Sequence, residues 1–315
     1  MVTPPYDLST TYEGTSIIVG RITSILALTV IAAMAISLAA CGDSNSSNPG
    51  ESELTGSLDI VGSDTMVNLG AALAEAYMQI HGEVDVVVQG GGSGTGLAAL
   101  LNENADIAQM SRAMADTEWE EAENLGIEVT EVIVAGDALV IAVHPGNPVD
   151  SLTIEELGAI YRGDITDWAE VGGNAGDILL LSRDTSSGTH VFFREAVVRE
   201  GVLYPEAEFS VESLFLPSTQ AIVDELIQNE NAIGYIGVGY YDPEQVGLVG
   251  IEIEESDVPV SPVEDHPEGI SYPLARPLYF YVAGDYGGLV EDYVEFVLGD
   301  AGQSVVREMD FLPVP

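Results

Sequence analysis

The stretch Arg183-Asp184-Thr185-Ser186-Ser187-Gly188-Thr189-His190 constrains the fold of this chain more than any other. An apolar strand-like run, Ile178 to Leu181, delivers an arginine, and a turn of small hydroxylated residues and a glycine follows. An apolar-rich helix then begins near Val191, carrying Phe192, Phe193, Ala196, Val197 and Val198. The first N–H groups of a helix have no partner within it, and the macrodipole places partial positive charge there, so the unit is built for an anion. Arg183 adds a planar fork of donors suited to an oxyanion. The device occurs twice earlier without the arginine, at Gly62-Ser63-Asp64-Thr65 and at Gly90-Gly91-Gly92-Ser93-Gly94-Thr95-Gly96. Three hydroxyl-and-glycine helix openings in one chain imply one tetrahedral oxyanion held from several sides.

Charge removes several classes of function. The 315 residues include 52 Asp and Glu against 8 Lys and Arg, a formal net charge of −44. All eight cations are arginine. Without a lysine there is no P-loop lysine, no Schiff base and no polybasic face, and so acidic a surface repels nucleic acid and anionic lipid. The chain is 46% hydrophobic, too apolar for disorder to explain its acidity. A folded protein from a very salty habitat accounts for it better, because at molar salt the Debye length is about 3 Å and surface carboxylates barely repel. The four histidines, His81, His144, His190 and His266, are scattered and form no metal-ligand pattern, so no metal and no cofactor are expected.

The N-terminal region reads as an export segment. Arg21 precedes an apolar run from Ile22 to Ala40 that ends in Leu38-Ala39-Ala40-Cys41-Gly42, the order of a signal peptide over residues 1–40. The polar residues before Arg21 suggest a true start near Val19. Leu-Ala-Ala-Cys resembles the lipobox of bacterial lipoproteins, in which the cysteine becomes a lipidated first residue. Cys41 is the only cysteine, which excludes an intramolecular disulfide. Residues 41–56, rich in Ser, Asn, Pro, Gly and Glu, read as the lipidated cysteine and a flexible tether.

From Leu58 onward, strand–turn–helix units alternate, which defines an α/β sheet. Leu69, Leu73, Ala76, Tyr77 and Ile80 have helical spacing, and Val84 to Val88 and Asp106 to Met110 read as strands. Val129 to Val134 reads as one strand and Ala138 to Val143 as a separate, central one. The break His144-Pro145-Gly146-Asn147-Pro148 opens a second set of units, the first with a capping box at Thr153 to Glu156. Asp242 to Glu268 reads as an acidic loop, and Leu274 to Val282 as a strand that returns to the first set. The expectation is two α/β lobes, residues 57–145 with 271–315 and residues 146–270. They would be joined by crossovers near 143–149 and 268–274, with a ligand cleft between them.

Over residues 57–315 the chain resembles the phosphate-binding proteins of phosphate ABC importers. The likeness rests on Gly-Ser-Asp-Thr-Met at 62–66, the glycine loop at 90–96, Asp-Ile-Ala-Gln-Met-Ser-Arg at 106–112, Arg-Asp-Thr-Ser-Ser-Gly-Thr at 183–189, and Tyr-Pro-Leu-Ala-Arg-Pro-Leu-Tyr at 272–279. It implies a type II periplasmic-binding-protein fold whose two lobes close on inorganic phosphate and deliver it to membrane permease subunits. It also implies a monomer, lipid-anchored outside the cytoplasm, that performs no chemistry. Carried over by residue, Ser93 supplies a hydroxyl, and Arg183, Ser187, Gly188 and Thr189 hold the anion from the second lobe. The first loop contributes from Ser63, Asp64 or Thr65.

Some members place an aspartate near the end of the third strand to accept the proton of hydrogen phosphate. Here that region reads Met110-Ser111-Arg112, without a carboxylate. Rejecting sulfate, which has no proton, needs such an acceptor, because a buried carboxylate facing sulfate is an unpaired like charge. Asp64 is the first candidate and Asp184 the second, with Ser111 and Arg112 as extra donors. Asp64 reads equally well as a helix cap. Arg276, between two prolines, reads as an ion-pair partner rather than a ligand. A receptor for sulfate, molybdate or phosphonate is the alternative within the class. A phosphatase using Ser187 beside His190 is the alternative outside it, though no GxSxG elbow surrounds the serine.

Overall fold

A computed structural model describes residues 54–314, apart from 202, 255, 257, 264–270 and 285. The expected export segment, Cys41, nearly all of the tether and His266 lie outside the described residues. The first elements are β1 (Gly56–Gly62), α1 (Val67–Ile80), β2 (Val84–Gln89), α2 (Ser93–Leu101), β3 (Ile107–Met110), α3 (Asp116–Leu125) and β4 (Val129–Val143). β5 (Ser151–Thr153), α4 (Ile154–Arg162), β6 (Leu179–Arg183), α5 (Gly188–Phe193), β7 (Leu214–Leu216), α6 (Thr219–Gln228), β8 (Ala232–Gly237) and β9 (Gly247–Glu252) follow. β10 (Ala275–Ala283), α7 (Leu289–Leu298) and α8 (Asp300–Glu308) close the chain.

The strands form one path in the order β2-β1-β3-β10-β4-β8-β6-β7, and β9 pairs with β4 and β5. β1 runs parallel to β2 and β3, and β6 runs parallel to β8 and β7, the signature of helical crossovers in two separate sets. β10 lies antiparallel between β3 and β4 and closes the first set.

Both faces of each set are covered. Along β10, Leu278, Phe280 and Val282 enter one apolar core with Ile60, Leu73 and Tyr293, while Tyr279 and Tyr281 enter another with Leu97, Leu100 and Met110. Along β4, Leu139, Ile141 and Val143 pack with Leu157, Tyr161 and Phe193, while Val140 and Ala142 pack with Ile222, Leu226 and Ile236. This period-two division between two buried faces explains why the strands read as continuous apolar runs.

Two expectations change here. Val129 to Val143 is a single strand of 15 residues, not two. Its first part pairs with β10 as far as Ala138, and from Leu139 it pairs with β8. The change of apolar core therefore falls at about 136–138 on β4 and 275–278 on β10, and β4 runs on to Val143 before the His144–Pro148 break. A residue buried on both sides looks alike in either lobe, so the apolar run conceals the change of partner. The second change is β9, which lies inside the stretch read as an acidic loop. The capping box is as expected: Thr153 Oγ1 accepts from the Glu156 amide at 3.1 Å, and Glu156 accepts from the Thr153 amide at 2.9 Å. No helix among the described residues is long and apolar enough to cross a membrane.

Candidate functional site

The first loop leaves β1 through Gly62, where φ is +145° and a Cβ would collide with the Gln109 carbonyl. Only glycine fits so near the neighbouring strand. The Ser63 amide then donates to Gln109 O at 2.7 Å, and the side chains of Ser63 and Thr65 are buried. In the second loop Gly92 adopts φ +99°, and a Cβ there would lie 2.6 Å from Ser186 of the other set of strands. α2 opens directly at Ser93. Its Oγ accepts from the Ser111 amide at 3.1 Å and lies 3.4 Å from Ser111 Oγ, just past the end of β3.

From the second set, β6 ends at Arg183 and Ser187 caps α5, its Oγ accepting from the His190 amide. A Cβ on Gly188 would run into Ser93 Oγ and lie 2.7 Å from Ser111 Oγ, so the opening of α5 abuts both serines. Thr189 Oγ1 lies 2.7 Å from Thr65 Oγ1. Further contacts cross at the rim, where the Gly94 amide donates to Ser186 O at 3.1 Å and Ser186 Oγ lies 3.1 Å from Gly91 O. Thus Thr65 meets Thr189, and Ser93 and Ser111 meet Gly188, residues read separately in the sequence, with Ser63 and Ser187 adjoining them in the chain. The Ser63 hydroxyl is buried without a hydrogen-bond partner, a donor that is costly to leave unused.

The charged candidates divide. Arg183 is 1% exposed and donates to Thr219 Oγ1 at 2.8 Å and Pro217 O at 3.1 Å, with Asp64 Oδ2 3.5 Å away. Asp64 makes no cap bond to its own helical turn. Its Oδ2 accepts instead from the Thr219 amide at 2.8 Å, at the opening of α6 in the other lobe. The Asp64 carbonyl accepts from Tyr240, whose phenol burial pushes up to about 12, with the Asp64 charge adding to the shift.

Arg112, expected as an extra donor, has both terminal nitrogens on Glu118 at 2.6 and 2.7 Å, at the opening of α3. Its Nη1 also donates to Ala113 O at 2.9 Å, while Nε is buried without a hydrogen-bond partner. Asp184, the second acceptor candidate, holds the Ser186 amide at 2.9 Å and the Ser186 hydroxyl, so it shapes its own turn.

Sequence reasoning missed Asp137 altogether and assigned Arg276 only its ion pair. Arg276 does pair with a carboxylate, donating Nε and Nη2 to Asp137 Oδ2 at 3.0 and 2.8 Å. Nη2 also reaches Thr189 Oγ1 at 3.0 Å and Thr65 Oγ1 at 3.4 Å, which brings the pair to the site. Burial pushes the Asp137 carboxyl up, opposed by Arg276, and pushes Arg276 down, opposed by Asp137. The signal available in the sequence was a charge within each of two apolar strands, since a buried charge requires a partner.

The ring of His190 does not approach Ser187. It stacks on Phe209 with centroids 4.6 Å apart, and its Nδ1 lies 3.5 Å from Ser182 Oγ. Burial, with Arg194 nearby, lowers its pKa to about 4. No hydrogen bond joins nucleophile to base as a serine hydrolase requires.

Fold and site together define a two-lobed binding protein. The chain belongs to the PBP superfamily, whose domain matches residues 47–301, and within it to the family of the phosphate-binding protein PstS. The PstS of Pseudomonas aeruginosa is 32% identical over 282 residues, covering 84% of this chain and 85% of that protein. The PstS of Staphylococcus saprophyticus is 30% identical over 286 residues, 88% of this chain and 86% of that protein. A crystal structure of a Clostridium perfringens substrate-binding protein with bound phosphate is similar at a TM-score of 0.71 and 29% identity, covering 82% of this chain and all 100% of that one.

Proposed function

We propose that this chain is the receptor that captures inorganic phosphate outside the cytoplasm and delivers it to the membrane subunits of an ABC importer. The observation that carries the reading is the meeting of helix-opening amides and hydroxyls from both lobes around Ser93, Ser111 and Gly188, with the buried Ser63 hydroxyl unpartnered. Preorganised neutral donors at close range dominate over distant carboxylates, so a highly acidic protein can hold an anion. Ser63, Thr65, Ser93, Ser111, Ser187, Gly188 and Thr189 form the cradle, with Arg183 behind it. The names and bound ligand of the relatives support the same reading. Binding is enclosure without chemistry, by a monomer tethered through a lipidated Cys41 and adapted to concentrated salt. The lobes we propose are residues 57–137 with 276–315 and residues 138–275, hinged on β4 and β10.

Asp64 is the acceptor of the phosphate proton in this reading. One of its oxygens is held by Thr219, and the other lies 3.2 Å from where a Cβ on Gly90 would stand, facing the glycine loop. The test is titration calorimetry at multimolar salt between about pH 5 and 9, with phosphate as ligand and sulfate as competitor. Tight phosphate binding that sulfate does not displace is the expected result. Asp64→Asn should then admit sulfate, and sulfate rejection intact in that variant would remove Asp64 from the role. Equal binding of both anions by the unaltered chain would point to another oxyanion, and turnover of a phosphate ester lost in Ser187→Ala would point to an enzyme.

A further inference from the structure

Asp137 and Arg276 face each other in register across β4 and β10, where those strands pass from one pair of apolar cores to the other. The two side chains are 0% and 2% exposed. Asp137 is held besides by the Val238 amide, which donates to Oδ1 at 3.2 Å at the end of β8. The pair is thus anchored at the hinge and touches Thr65 from the first lobe and Thr189 from the second.

Counting hydrogens decides what this contact does. An arginine has donors only. Nη2 has two hydrogens, one directed at Asp137 and the other shared between the oxygens of Thr189 and Thr65. Neither threonine can therefore donate to Arg276, and both must use a lone pair to accept from it. The two oxygens lie 2.7 Å apart, so one hydroxyl donates to the other. That leaves one hydroxyl hydrogen free, directed away from the arginine. An acceptor-bearing residue in place of Arg276 would draw that hydrogen to itself. The remaining nitrogen, Nη1, is buried without a partner.

We propose that Arg276, oriented by Asp137, is a positioning residue that turns the Thr65–Thr189 pair into a net hydrogen donor and joins the two lobes across it. The proposal rests on the anion-receptor reading. Through it the hinge carries the hydrogen-bond polarity of the cradle, and the hydroxyl pair is complete only when both lobes are brought together. Arg183 has no such part, since its contacts run to Thr219, Pro217 and Asp64.

The experiment is phosphate calorimetry on the full chain and two variants, with melting curves as the check on folding. Arg276→Lys keeps a donor-only cation and should bind phosphate about tenfold more weakly. Arg276→Gln combined with Asp137→Asn removes both charges, leaves no buried ion unpaired and supplies an acceptor. It should melt as a folded protein yet lose about 100-fold in affinity, the scale of a buried hydrogen bond to a charged group. A folded double variant that binds phosphate like the unaltered chain overturns the proposal, as does a lysine variant as weak as the double one.

Should the double variant fail to fold, the unaltered chain decides. It has only eight arginines, so the Nε–Hε signals of arginine labelled with nitrogen-15 are resolvable. The Arg276 signal, identified by its absence in Arg276→Lys, should shift on phosphate addition. A signal that stays in place while calorimetry records binding overturns the proposal. An unaltered chain that binds no phosphate removes the receptor reading and this inference together.

Discussion

Gly188 shows how narrowly the two lobes meet. Its missing side chain lets the opening of α5 rest against Ser93 and Ser111, and a single methyl group would occupy the place of the serine hydroxyl. Gly188→Ala should therefore leave each lobe folded and prevent their full closure. Overpacking of this kind costs about 1–3 kcal/mol, so phosphate affinity should fall about tenfold to 100-fold with little change in the melt of the ligand-free chain. The place of this glycine at a helix opening was legible, because Ser-Gly-Thr after a strand is a local pattern that specifies one. The pairing of Arg112 with Glu118 was not legible, since a guanidinium two residues beyond a strand end can turn either way. Asp137 and Arg276 were less legible still. Each is plain in the sequence as a charge in an apolar strand, yet their partnership depends on a register between strands 139 residues apart.

At the scale of elements, α5 joins the site to a pH response. It puts Ser187, Gly188 and Thr189 in its opening turn and buries His190 against Phe209 one residue later. His190 is 3% exposed and its pKa falls from 6.5 to about 4, mainly through burial. Between those values the unfolded chain binds a proton that the folded chain refuses. The stabilisation is therefore complete above pH 6.5 and is lost as pH falls toward 4, by roughly 3 kcal/mol in all. Replacing His190 by Gln should flatten the fall of melting temperature between those limits relative to the unaltered chain. Equal slopes would show that the surface carboxylates alone set the acid response. Element types were largely readable from periodicity and caps, as at Thr153, but the helix expected near Val191 opens three residues earlier, at Gly188 with Ser187 as its cap. The division of Val129–Val143 between lobes was not, because only the partner strands reveal it.

At the scale of the whole molecule, the formal charge of −44 must be reconciled with a folded core. Several of its few arginines pair with carboxylates, among them Arg162 with Glu200 at 2.8 Å and Arg199 with Glu195 at 3.0 Å. The more exposed of these pairs contribute little, and together they leave most of the acidic surface uncompensated. Repulsion among the remaining carboxylates falls as the Debye length shrinks from about 10 Å at 0.1 M to about 3 Å at 1 M salt. The melting temperature should accordingly rise as potassium chloride is raised through the molar range, and an equal melt in dilute buffer would contradict the adaptation to salt. The charge itself was legible at once in the composition, since its count does not depend on where the residues fold.

The sharing of β4 between the lobes also limits how they move. β4 and β10 are antiparallel neighbours, bonded side by side from Val129 up to the passage at Ala138, with the Leu139 amide still donating to Leu274 O at 3.0 Å just beyond it. A bonded ladder resists sliding, because any slip must break its hydrogen bonds together and move each side chain to the opposite face. It yields more readily to twisting and bending. With the hinge proposed here, the lobes swing rather than shear, and opening is a rotation about an axis close to these two strands. A receptor made this way returns to the same closed register after each release, because the register was never given up.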